Sequence, residues 1–271
     1  MSKLKNYLIL FDAECPMCKM YTQTLVQAGV LESDGRMAYQ SLPADACPMV
    51  DRQRAVNEIA LVNQQTGEVT YGIHSLFKVI GMAMPVWKPL FAFGPFIWIM
   101  SKVYAFISYN RRVIIPATQV EQFQLQPSFK RHYRIAYLMF TWLVTSFILT
   151  QYAGLLQGLV PVGNSYREYL ICGGQIFFQG YIINLINKEK MWNYLGNMMT
   201  ISFGGSLLLL PGLLLAGYLG QHPVIYAGYF MLVAGLMFLE HIRRSRLLQL
   251  GWAMTISWAL YRAAILIIIL I

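Results

Sequence analysis

Tyr7-Leu8-Ile9-Leu10-Phe11-Asp12-Ala13-Glu14-Cys15-Pro16-Met17-Cys18 runs from a strand into a helix across a pair of cysteines. The first five residues are a continuous apolar run of strand length, which suits a central strand buried on both faces. Asp12-Ala13-Glu14 reads as a turn. From Cys15 the pattern becomes helical: Met17, Met20, Tyr21, Leu25 and Val26 recur at three- and four-residue steps, and Gly29 supplies a C-terminal stop.

Working outward, Met37 to Leu42 is expected to be a second strand and Pro43 to Ala46 a loop. Met49 to Val56 is expected to be a short helix. Glu58 to Val62 reads as a strand, Gln65-Thr66-Gly67 as a turn and Glu68 to Tyr71 as the return strand of a hairpin. His74 to Met82 reads as a helix. The order β-α-β-α-β-β-α, with a CxxC pair after the first strand, is the sequence sign of a thioredoxin-like redox domain. An α/β domain is therefore expected over residues 1–116.

Pro89 to Tyr109 is strongly apolar, but Pro95 interrupts it and Lys102 sits inside it. It reads as helices docked on the surface of the first domain, lying against a membrane, in preference to a span. Residues 117–134 read as a basic linker ending in Lys130-Arg131-His132-Tyr133-Arg134. Beyond it come five apolar stretches, 135–157, 169–186, 197–219, 223–239 and 250–271. A span needs about 20 mostly apolar residues, so residues 135–271 are expected to be an all-α transmembrane bundle of about five spans. Small-residue pairs such as Gly173-Gly174 and Gly204-Gly205 suit close helix packing.

Composition agrees with a chain that lives largely in lipid. Only 12% of residues are charged and the mean hydropathy is +0.48, against roughly a quarter charged in soluble domains. The net charge is +9. The basic residues fall in short clusters between apolar runs, which argues against nucleic acid as a partner and for an anionic membrane surface. Lys130, Arg131, Arg134, Lys188, Lys190, Arg243, Arg244 and Arg246 fall in loops on one side of the predicted bundle; the alternate loops offer Arg167. The basic side is read as cytoplasmic, placing the chain in an inner (plasma) membrane with its N-terminal domain in the cytoplasm. The run from Met1 to Leu10 has no small-residue cleavage site and reads as a first strand, not a signal peptide.

The chemistry rests on Cys15 and Cys18. With Cys15 at the N-cap, Pro16 takes the first helical position, where its missing N–H had no partner anyway. The positively polarised helix start favours a thiolate at Cys15, and Cys18 on the same turn can resolve a mixed disulfide. Lys19 is expected to help the thiolate and Glu14 to oppose it. Asp12 is either a proton partner for Cys18 or a cap of the turn. The competing reading makes the cysteines soft metal ligands, with Cys47 and His74 as further donors if the fold gathers them. Haem held by His132, His222 or His241 is a related alternative. Cys172 reads as packing. Arg262, midway along the last apolar stretch, needs Glu240, Glu168 or an anionic ligand, unless it snorkels to the surface.

Together these residues resemble the DCC family of thiol–disulfide oxidoreductases, named for an Asp-x-x-Cys-x-x-Cys motif after a first strand. The motif here is Asp12-Ala13-Glu14-Cys15-Pro16-Met17-Cys18, and Gly72, Pro85 to Leu90 with Trp87, Pro95, Tyr104 and Asn110-Arg111 extend the likeness over about residues 5–112. Two features depart from the pattern: Ala13 stands where glycine is usual, and no proline precedes the strand at Glu58. The resemblance implies an oxidoreductase in which Cys15 attacks, Cys18 resolves and Asp12 assists. No cofactor is expected, and the partner is a thiol- or disulfide-bearing protein or small thiol. The membrane domain would anchor the enzyme or recruit a membrane-protein partner.

Overall fold

The computed structural model describes residues 4–42, 49–117, 126–161, 163–220 and 222–271. The expected loop at Pro43 to Ala46 and the candidate ligand Cys47 lie outside the described residues. The chain divides into two compact units, one ending at Tyr133 and one beginning at Arg134.

The first unit is built on a four-stranded mixed sheet. Its strands are β1 (Tyr7–Phe11), β2 (Arg36–Ala38), β3 (Ala60–Asn63) and β4 (Val69–Tyr71), in the order β2-β1-β3-β4. β1 runs parallel to β2 and antiparallel to β3, and β3 pairs antiparallel with β4. β1 is central and covered on both faces, as its unbroken apolar run requires. Leu8 and Leu10 enter one core with Tyr39, Val56 and Val62. Ile9 enters the other with Leu31, Leu61 and Val79. Helix α1 (Pro16–Gln27) makes the crossover from β1 to β2 and stops ahead of Gly29, whose φ is +69°.

Two expected strands are shorter than the sequence suggested. β2 ends at Ala38, and Tyr39–Ser41 forms a 3-10 turn. Tyr39 and Leu42 enter the same core three residues apart, a spacing that the alternation of a strand cannot supply. β3 begins at Ala60, not Glu58. Glu58 closes helix α2 (Arg52–Asn57) by donating its N–H to the Arg54 carbonyl. The Ile59 N–H donates to Tyr104 Oη at 3.1 Å.

Helix α3 (Ile73–Ala83) is followed by α4 (Lys88–Ala92) and α5 (Gly94–Ile114). Pro95, read as an interruption, stands in the first turn of α5, where proline is tolerated because no helical N–H is lost. The segments Pro85–Ala92 and Gly94–Ile114 meet at 92°. α5 buries Asn110, Arg111 and Val113 within the first unit, while Trp98, Ile99, Val103 and Ile107 remain exposed.

The second unit contains helices α6 (Arg131–Ala153), which starts in the last residues of the first, α7 (Arg167–Asn187), α8 (Met191–Leu219), α9 (Pro223–Leu247) and α10 (Gly251–Leu270). Four helical stretches are long and apolar enough to cross a membrane. One of them, Arg167–Tyr218, turns at Asn187 (φ −157°, ψ 91°) and comprises α7 and α8, which pack against each other. α8 packs on α9, α9 on α10 and α10 on α7. The basic loops gather at one end: Arg134 donates to the Trp192 carbonyl at 2.7 Å and Lys190 to that of Leu248 at 2.9 Å.

Gly72 caps α3 with φ +62° and ψ −134°, a region that only glycine enters cheaply. A Cβ there would also meet Glu58 Oε2 at 2.6 Å and Tyr104 at 3.4 Å. Gly72→Ala is expected to lower stability by about 1–3 kcal/mol, read as a fall in the Tm of the full chain in detergent relative to Gly67→Ala. Gly67 also has positive φ but an open Cβ position, so the difference reads what the extended ψ and the neighbours of Gly72 add to a positive φ.

Candidate functional site

Cys15 is the N-cap of α1 and Pro16 its first residue. The chain enters the helix from β1 through a tight turn. Glu14 N–H donates to Asp12 Oδ1 at 3.0 Å and Cys15 N–H to the Asp12 carbonyl at 3.1 Å. Ala13 donates to Gln40 Oε1 at 3.1 Å and keeps a negative φ, so this position makes no demand for glycine. The Cys15 sulfur accepts from the Cys18 N–H at 3.4 Å. Both cysteines are free, and the two sulfurs share one helical turn.

The pair is enclosed. Cys15 has no exposed surface, and with Cys18 it packs against Phe11, Met17, Tyr21 and Ala38. A thiol that reacts with a partner needs an opening, and this conformation does not provide one. The enclosure is not wholly apolar, however. Asp12, itself buried, pairs with Arg111 at 3.0 Å and with Arg112 at 3.4 Å, and accepts from Gln40 Nε2 at 3.0 Å. Arg111 reaches across from α5 and also donates to the carbonyls of Val56 (2.5 Å) and Asn57 (2.9 Å). Tyr21 Oη is shut off from solvent beside the cysteines without a hydrogen-bond partner.

These contacts set the protonation of the site. The hydrogen bond from Cys18 is the main influence lowering Cys15 to about 7; burial opposes it, and Arg111 lowers it further. Cys18 moves up, because Cys15 holds its proton in place and because it is buried. Burial alone would raise the Asp12 carboxyl, but Arg111 and Arg112 outweigh it and leave it below its ordinary value. Asp12 is therefore a carboxylate committed to two guanidinium groups, and its carbonyl and Oδ1 also cap the turn.

Arg111 entered the sequence reading only through the family likeness, without a role. The expected helper, Lys19, is exposed, and Glu14 is itself engaged by Arg112 at 3.1 Å and Gln126 Nε2 at 3.2 Å. The signal that could have found Arg111 is the buried acid: a carboxylate at the end of a central strand needs a cation from elsewhere in the chain. His74 is exposed, as are His132 and His222. Both ring nitrogens of His241 are hydrogen-bonded, to Tyr194 Oη and Thr255 Oγ1, each at 3.1 Å. Among the described residues no three His, Cys, Asp or Glu side chains are grouped to hold a metal ion. Cys172 is buried in α7 of the second unit.

Comparison of the chain with models of known families, with curated proteins and with solved structures finds no match.

The opposed charges around Cys15 make a signed prediction. Arg111 lowers the Cys15 pKa and Asp12 raises it. Arg111→Gln should move the midpoint of the Cys15 alkylation rate to higher pH, and Asp12→Asn should move it lower. The rates are read by mass spectrometry on the full chain. Shifts in the same direction for both variants would contradict this electrostatic account.

Proposed function

We propose that this chain is a membrane-anchored thiol–disulfide oxidoreductase of the DCC type. Its first unit has a thioredoxin-like fold and carries the Cys15–Cys18 dithiol. The observation that carries the reading is the Cys15 sulfur capping α1 and accepting from the backbone N–H of Cys18 on the same helical turn. The sheet order β2-β1-β3-β4, with α1 crossing from β1 to β2, supports the fold assignment.

In this reading the Cys15 thiolate attacks one sulfur of a substrate disulfide, forming a mixed disulfide and expelling the other sulfur as a thiolate. Cys18 gives up its proton and attacks the Cys15 sulfur, releasing the second substrate thiolate. Two electrons pass from the dithiol to the substrate, and the reverse sequence oxidises a dithiol. Asp12 acts as a positioning residue that holds Arg111 beside the sulfurs. The Ile59 N–H ahead of β3 is already bonded to Tyr104, so a substrate docks without that contact. Because Cys15 is enclosed, exchange requires the packing of Phe11, Met17 and Tyr21 to open.

The partner is a thiol- or disulfide-bearing protein or small thiol. α6 to α10 are five spans with the basic loops, and hence the dithiol, in the cytoplasm. The exposed apolar side of α5 rests on the bilayer surface. The metal reading needs a third ligand, and none joins the cysteine pair among the described residues.

Equilibration of the full chain in glutathione buffers, followed by acid quench and mass analysis, should give a reversible two-electron transition. Cys15→Ser should abolish it, and Cys18→Ser should accumulate a mixed disulfide. With the folded pKa of Cys15 near 7, below the ordinary thiol value of about 8.5, the thiolate appears as pH rises. The exchange rate should therefore climb through pH 6 to 8 and then level off. Absence of a reversible transition would end the oxidoreductase reading.

A further inference from the structure

We propose that the interior of the α6–α10 bundle is a binding site for a carboxylate- or phosphate-bearing ligand, with Arg262 as its anchor. The inference is independent of the dithiol chemistry. Arg262 is the twelfth of the twenty residues of α10, midway along an apolar helix where a charge is costly to insert. The two carboxylates that the sequence offered are already taken. Glu240 Oε1 accepts from Arg243 Nη2 at 2.6 Å and from Arg244 Nε at 2.7 Å. Glu168 accepts from Arg167 Nε at 2.9 Å.

Arg262 is part-exposed, but its guanidinium does not extend toward the C-terminal end of α10. The guanidinium lies over the ring of Trp258 at 4.6 Å. Trp258 is one turn back along α10, away from the C-terminal end where the side chain would reach the surface. The polar contact of Arg262 is Nη2 to Ser202 Oγ at 3.4 Å, a long bond to a neutral group. Its Nε is shut off from solvent and has no hydrogen-bond partner.

Further unpartnered donors lie in the same interior. Trp258 Nε1, Gln179 Nε2 and Gln175 Nε2 are enclosed without acceptors, on side chains that are almost wholly buried. Gln179 connects to the Trp258 region of α10 through its Oε1, which accepts from Ser257 Oγ at 3.2 Å and from Tyr194 Oη at 2.8 Å. Those bonds fix the amide so that its NH₂ is left over. Gln175 lies one turn before Gln179, and Cys172, on the same face of α7, is within electrostatic range of Arg262.

Arg262 Nε, Trp258 Nε1 and Gln179 Nε2 are donors and the first belongs to a charged group, while the Gln175 amide and the hydroxyls of Thr145 and Ser146 are also enclosed in this unit without partners. Native interiors rarely leave such groups unpaired, because an enclosed donor without an acceptor loses its hydration and gains nothing in return. The complement is an acceptor-only anion. The planar fork of arginine matches a carboxylate or phosphate in two-point contact, with Trp258 Nε1 and the glutamine amides as further donors. Such an anion could arrive on an apolar tail from the bilayer or from water.

The test uses the full chain in neutral detergent, with equilibrium dialysis of radiolabelled decanoate, acetate and inorganic phosphate. Saturable binding of one anion per chain is expected, at least tenfold weaker in Arg262→Gln. Trp258→Phe, which keeps the ring under the guanidinium but removes Nε1, should weaken binding about threefold or more. It stands in should Arg262→Gln not fold. Saturation by decanoate alone identifies a lipid-borne carboxylate; saturation by acetate or phosphate identifies a soluble anion. The proposal is overturned if no probe saturates the wild-type chain, or if affinity is unchanged in the folded variants.

Discussion

One guanidinium holds the first unit together at the end that carries the two cysteines. Arg111 on α5 pairs with Asp12 at the end of β1 and donates to the carbonyls of Val56 and Asn57 at the end of α2. Three segments far apart in sequence thus meet on one side chain. Breaking such a buried pair typically costs about 3–5 kcal/mol, because the remaining charge is stranded. The cost falls on Asp12 in particular, whose other contacts (Gln40, the Glu14 N–H and Arg112) are weaker substitutes for a fully enclosed cation. The position of α5 on the sheet is therefore tied to the ionisation of one carboxylate.

The same cation shapes the cysteine pair. Burial alone would raise both thiols and leave them inert. A hydrogen bond from Cys18 and the field of Arg111 reverse this for Cys15, while Cys18 keeps its proton more tightly. Two chemically identical groups are thereby separated into one that ionises more readily and one that holds its proton. Their difference comes from position: Cys15 stands at the helix start, facing donors, and Cys18 one turn in, facing Cys15. The enclosure that makes these interactions strong also bars a partner sulfur. Reactivity at this site is consequently a question of how often the cover opens as well as of how much thiolate lies beneath it.

What could be read from the sequence was whatever neighbouring residues determine. β1 and the start of α1 follow from a five-residue apolar run, a turn and a proline, and they lie where the sequence put them. The ends of β2 and β3 were misjudged because distant residues set them. Leu42 turns into the core in step with Tyr39, and Tyr104 claims the Ile59 N–H. Pro95 looked like a break and is a beginning, since proline's lack of an N–H has both meanings depending on which side the helix lies. Asp12 was legible as a residue with a role, but the identity of its partner was not. No local pattern connects position 12 to position 111; the link exists only once α5 is folded against the sheet.

Both units bury charge, and the partners each gives it bear on what the second one is for. In the first, Arg111 is matched to a carboxylate and two carbonyls. In the second, most buried polar groups are also matched: Arg134 to the Trp192 carbonyl, Arg244 to Glu240 and Asn197, His241 to Tyr194 and Thr255. A bundle serving only to hold a domain at a membrane could be built from apolar contacts and small-residue packing, as where Trp142 lies against Gly173. Arginine, histidine and glutamine in its interior carry insertion costs that anchoring does not require. Where Arg134 and Arg244 pair with a carbonyl or a carboxylate and Arg262, midway along α10, has a serine hydroxyl at 3.4 Å as its polar contact, the exception is a charge whose complement the folded chain does not supply.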